Sequence, residues 1–232
     1  MNIVLKEIFI FSLSMSIILI YLTGCSWSKE EKTIENKTNA EIEYLEDNIF
    51  VVVNKYVKGE YENYGIIQWD SIEKDTKKIS DTLDTILVDF SEYDISNEEL
   101  LNFRNNVDNL NILVANKEES NLLIVTSEIY KQLPSFLEKY SQDYNKINLL
   151  KLKSLVLESI AYSNISDWEN AKNTINIAED KYNEMMNDTN FIKEYSYDIN
   201  KIYVLLEEIK NSINLEELKL TKIKYINFIE KI

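Results

Sequence analysis

"QWDSIEKDTKKISDTLDTILVDF", residues 68–90, decides how the rest of the chain is read. Ile72, Thr76, Ile79, Leu83, Ile86 and Phe90 recur at alternating steps of three and four, while charged and polar residues fill the positions between them. At 3.6 residues per turn those six side chains fall on one stripe of a helix; a strand would have needed alternation with period two. The same spacing returns in both directions along the chain. It appears at Leu100, Phe103, Val107, Leu110 and Val114, then at Leu122, Thr126, Ile129, Leu133, Phe136 and Tyr140. Trp168, Ala171, Ile175, Ala178, Tyr182 and Met185 repeat it, as do Tyr195, Ile199, Ile202, Leu206, Ile209 and Ile213. The spacing predicts helices near 40–58, 68–92, 97–116, 119–141, 144–163, 167–187, 191–212 and 215–231. The expected fold is all-α: a bundle of seven to eight antiparallel helices joined by short polar turns.

Start signals accompany the stripes. Ser96-Asn97-Glu98-Glu99 and Ser166-Asp167-Trp168-Glu169 both read S-x-x-E, the capping-box pattern, and Thr38-Asn39-Ala40-Glu41 is a third candidate. The one proline, Pro134, falls inside the fourth stripe, where it is expected to kink or split the helix. "KGEYENYG", residues 58–65, holds two of the three glycines and is the longest expected break, separating the first helix from the others.

Composition agrees with helices and narrows function. Three glycines and one proline in 232 residues leave little turn chemistry for sandwiches or barrels, and no Gly-rich loop to cradle phosphate. The formal charge is −15, which repels nucleic-acid backbones and anionic lipid headgroups, so no nucleic-acid partner is expected. No histidine is present, which removes the commonest general base and transition-metal ligand and the Glu-x-x-His pairs of a bundle di-metal centre. With a single cysteine there is no intramolecular disulfide and no Cys/His zinc site. Neither an EF-hand loop nor a Walker motif is present, because Gly occurs only at 24, 59 and 65. No metal and no cofactor are expected.

Two S-x-x-K spacings, Ser26/Lys29 and Ser71/Lys74, suggest a hydrolase pair arithmetically, but the companion K-T-G element is missing. Ser71 and Lys74 read as a solvated helix face. Asp70, Glu73 and Asp75 lie near a helix start, where the macrodipole favours negative charge, and that explains them without a cation. The tryptophans Trp69 and Trp168 sit on or beside core stripes and read as packing residues. The expectation is a protein that is not an enzyme.

The N-terminus carries the sharpest motif. "MNIVLKEIFIFSLSMSIILIYLTGC", residues 1–25, places Lys6 and the α-amino group before an apolar run from Ile8 to Tyr21. Fourteen helical residues span roughly 21 Å, short of a hydrocarbon core of about 30 Å but suited to a signal peptide. Leu22-Thr23-Gly24-Cys25 follows and resembles the lipobox of bacterial lipoprotein precursors. An uncleaved signal anchor and a buried thiol are the competing readings. The resemblance implies a diacylglyceryl thioether on Cys25 and cleavage between Gly24 and Cys25. Removal of residues 1–24 takes away Lys6 and Glu7 together and leaves the net charge unchanged. Two acyl chains give durable anchoring where one is marginal. Residues 25–38 then read as the lipidated cysteine and a polar tether reaching at most about 45 Å, and residues 39–232 as a single helical domain.

"LVLESIAYSNISDWENAKNTINIAE", within residues 152–185, is similar to one tetratricopeptide-type hairpin. Leu155, Ser159 and Tyr162 stand on its first helix and Trp168, Ala171, Ile175 and Ala178 on its second, though no second copy lies at the repeat distance. The whole chain resembles helical lipoproteins of low-GC Gram-positive bacteria with no assigned activity. The functional expectation is a lipoprotein on the extracytoplasmic face of the cell membrane, held there through Cys25. It would act as a non-catalytic interaction or structural module, with a protein as its possible partner. The alternative is a receptor for a small ligand or cation, using an inter-helix pocket lined by Tyr and carboxylates.

Overall fold

A computed structural model describes residues 39–61, 65–90, 95–196 and 198–232, the side chains of residues 88–90 and Tyr140 excepted. The expected cleavage site at Gly24 and Cys25, the tether and the Thr38 cap lie outside the described residues. The chain divides after Ala40, and Glu41–Ile232 is one compact unit.

Nine helices and no strand occur among the described residues. α1 runs over 39–61. It is followed by α2 (Trp69–Phe90), α3 (Asn97–Asn116), α4 (Leu122–Tyr140), α5 (Tyr144–Asn164) and α6 (Trp168–Met185). The series ends with α7 (Thr189–Glu194), α8 (Ile199–Asn214) and α9 (Leu218–Ile229). From α2 to α6 each helix packs on the next, α6 then packs on α8 and α8 on α9, and α9 returns against α5. The all-α bundle is therefore as the periodicity requires. The stripes face inward: Ile72, Ile79, Leu83 and Ile86 of α2 are buried, as are Phe103, Val107, Leu110 and Val114 of α3.

Four local expectations are corrected. The segment 191–212 is not one helix: it breaks between Glu194 and Ile199, giving the short α7 and then α8. The step from Tyr195 to Ile199 mimics a helical spacing, but Tyr195 lies in the connection, its ring stacked on Phe191 at 4.7 Å between centroids. Pro134 does not split α4, which continues to Tyr140. Buried Ile129, Tyr130, Leu133, Phe136 and Leu137 hold both sides of the proline in place. At Ser166-x-x-Glu169 the capping residue is Asp167, whose carboxylate accepts from the Asn170 amide at 3.2 Å. Ser166 instead adopts φ 62°, in the left-handed region. The box at Ser96 does form in full, with Ser96 Oγ accepting from Glu99 N and the Glu99 carboxylate accepting from Ser96 N.

The first helix is the fourth correction. α1 continues through Gly59 to Tyr61, and one whole face of it lies in the core of the bundle. Ile42, Leu45, Ile49, Val52, Val53, Tyr56 and Val57 are all buried. Gly59 permits this closeness, because a Cβ there would stand 3.0 Å from the Ile67 Cα of the returning chain.

Candidate functional site

A lysine on an apolar face is what draws attention to the seam between α1 and α9. Lys222 sits on the buried side of α9 with Thr221, Tyr225, Ile226 and Phe228, and its side chain is 1% exposed. Its Nζ donates to Glu60 Oε2 at 2.6 Å, joining residues 162 positions apart. The ammonium also stands 5.3 Å from the Tyr56 ring centroid and 5.7 Å from that of Tyr61. Cation–π attraction and one carboxylate thus replace water around a desolvated charge. Burial lowers the Lys222 pKa from its ordinary value, and Glu60 only partly restores it. Tyr56 is pushed far up by burial and then by Glu60 and Glu119, while Tyr61 is raised to about 12 by burial and Glu60. Both phenols therefore stay protonated at neutral pH. The Tyr56 hydroxyl leans toward Glu60 Oε1 and the Glu119 carbonyl, each at 3.4 Å.

Beside this cluster, α1 and α9 enclose a cavity of about 350 Å³. Val57, Ile223 and Ile226 give it an apolar wall, and Tyr61, Lys219 and the Lys58–Glu230 pair a polar one. A volume of that size lies at the lower end of the range for small-molecule sites.

A second polar network lies deeper along α1. Glu46 Oε1 accepts from the Tyr130 hydroxyl at 2.9 Å and from Lys153 Nζ at 3.0 Å, and Lys153 also stands over the Phe50 ring at 5.6 Å. Burial, reinforced by Glu46, raises the Tyr130 pKa well above the ordinary value, and Tyr225 behaves alike. The Tyr225 hydroxyl is wholly buried and has no hydrogen-bond partner among the described residues.

The residues singled out from sequence fall elsewhere. Asp75 is buried and pairs with Lys55 of α1 and, at 2.8 Å, with Lys78. Burial pushes its carboxyl up, but the hydrogen bonds from Lys55 and Lys78 outweigh this and lower it. Its place is thus explained by an ion pair between helices, whereas Asp70 alone occupies the first turn of α2. The Ser71 hydroxyl accepts from Lys55 at 2.8 Å, and Lys74 is exposed, so the structure does not bring that spacing together as a pair. Trp69 and Trp168 pack half-buried against the core. No group of three or more carboxylate or thiol ligands suited to a metal ion occurs among the described residues. The α5–α6 hairpin places Ser159, Ala171, Ile175 and Ala178 at full burial, with Leu155, Tyr162 and Trp168 packed around them.

No known protein family, curated protein or solved structure matches this chain at a significant level.

Proposed function

We propose that the protein is a lipoprotein anchored through Cys25 on the extracytoplasmic face of the cell membrane, where its helical body serves as a non-catalytic interaction or structural module. The observation that carries this reading is the motif Leu22-Thr23-Gly24-Cys25, placed directly after a fourteen-residue apolar run and containing the chain's one cysteine. Two features of the body support the second half. Many of its charges are committed to partners, including the buried ones at Asp75 and Lys222. The turns after α1, α5 and α8, which topology brings to the same end of the bundle, expose Ile66, Ile165 and Leu215. Apolar tips amid charged residues suit contact with another protein.

Fractionation of cells expressing wild type and Cys25→Ala tests the anchor. The wild type is expected in the membrane pellet, with the mass of a chain beginning at Cys25 plus lipid; the variant is expected to keep residues 1–24 or to leave the pellet processed. A Cys25→Ala protein found in the pellet at the wild-type mass would overturn the reading. Capture from the membrane fraction, comparing wild type with Ile165→Asp and Leu215→Asp, tests the module. A partner retained equally by all three would remove the turn residues from the account.

A further inference from the structure

The α1–α9 cavity carries more positive than negative charge at its edge, in an otherwise acidic molecule. Lys58 and Glu230 neutralise each other across one side at 2.5 Å. On the other side stands Lys219, whose ammonium lies 5.7 Å from the Tyr61 ring centroid. Among the described residues no carboxylate accepts a hydrogen bond from it. The nearby Glu60 is already held by Lys222. An exposed ammonium without a carboxylate partner among the described residues thus overlooks an apolar hollow, in a chain whose net charge is −15. Below it, Val57 and Ile226 are buried and Ile223 forms a partly exposed lip. Water in such a hollow is readily displaced by hydrocarbon, and an anion is the group that would complete Lys219.

We infer that the cavity between α1 and α9 binds a small amphipathic carboxylate, its apolar body against Val57, Ile223 and Ile226 and its head group on Lys219. Tyr61, protonated at neutral pH, lines the same cavity as a further hydroxyl donor. The inference rests on the receptor alternative and does not need the anchor or a protein partner, so the two readings fail in different experiments.

Decanoate is the probe, titrated below its micelle concentration into the full chain carrying Cys25→Ala, with isoleucine methyl resonances as the readout. Saturable shifts confined to Ile223, Ile226 and their neighbours are expected. Lys219→Glu should weaken binding at least tenfold and Lys219→Gln severalfold, whereas Lys74→Glu, the same charge change at a distant exposed site, should leave it unchanged. Decanol and decyltrimethylammonium should bind at least tenfold more weakly than decanoate. Lys219 and Ile223 are exposed, so their variants are expected to melt like the parent, and Ile223→Asp should also abolish the shifts. Absence of saturation, equal binding of decanol or decyltrimethylammonium, or equal weakening by Lys74→Glu would each overturn the inference.

Discussion

The Lys222–Glu60 pair makes an asymmetric prediction at the scale of the residue. Removing the carboxylate leaves a desolvated ammonium with only the Tyr56 and Tyr61 rings beside it, and Glu60→Ala is expected to cost about 3–5 kcal/mol. Removing the lysine is milder, because Glu60 is 21% exposed and can turn to solvent. Lys222→Met should fall within about 1 kcal/mol of the parent. Urea denaturation of both variants checks the contrast, and equal losses would show that the pair is not desolvated from one side. Tyr225 gives the opposite sign. Its buried hydroxyl lacks a partner among the described residues, so Tyr225→Phe is expected to stabilise by about 1 kcal/mol, whereas Tyr130→Phe takes a donor from Glu46 and should destabilise by a similar amount. Lys222 was legible in part from the sequence: it is a charge on the buried face of α9, between Leu218 and Tyr225. Glu60 was not, because nothing local links it to a residue 162 positions away.

At the scale of the element, the stripes of α2, α3, α4 and α6 could be read directly, since their burial depends only on local periodicity. The turns could not. Three of them close in the same way: after α3, α5 and α8 a residue with positive φ is followed by an amide that donates back five residues. These bonds are Glu118 N to Leu113 O, Asp167 N to Tyr162 O and Glu217 N to Ser212 O. The left-handed positions are Lys117, Ser166 and Glu216, where glycine is the usual choice, so a reader searching for Gly passes over them. Replacing Lys117 or Ser166 with Gly should raise stability by about 0.5–1 kcal/mol each. Thermal unfolding measures this, and a loss at either site would show that its side chain holds the turn. Gly59 works in reverse. Ala is the better helix former, yet Gly59→Ala would press a Cβ against the Ile67 backbone and is expected to destabilise.

For the whole molecule, the buried phenols set an upper pH limit. Folding raises the pKa of Tyr56, Tyr130 and Tyr225 through burial, and those of Tyr61 and Tyr195 to about 12. An unfolded tyrosine titrates near 10. The stability these groups contribute is therefore complete below about pH 10 and is lost as pH rises through their folded values. Lys222 runs the other way, its lowered pKa favouring the folded state as pH approaches the ordinary lysine value, but it is one group against these phenols and Tyr182, which burial also raises. Helix content is expected to collapse cooperatively above pH 10, together with a step in tyrosinate absorbance. A smooth titration of all fifteen tyrosines with helices intact would contradict this.

The buried face of α1 also governs how the chain reaches its native state. This helix precedes the other eight described helices, yet its polar partners include Asp75 on α2, Tyr130 on α4, Lys153 on α5 and Lys222 on α9. Its berth is complete only when α9 has docked. A bundle built from neighbouring hairpins could consolidate piece by piece, but here α1 stays partly uncovered until α9, far along the chain, packs against it. Folding slower than that of helical proteins with local contacts is the kinetic consequence, and removal of α9 would leave α1 with an uncovered flank.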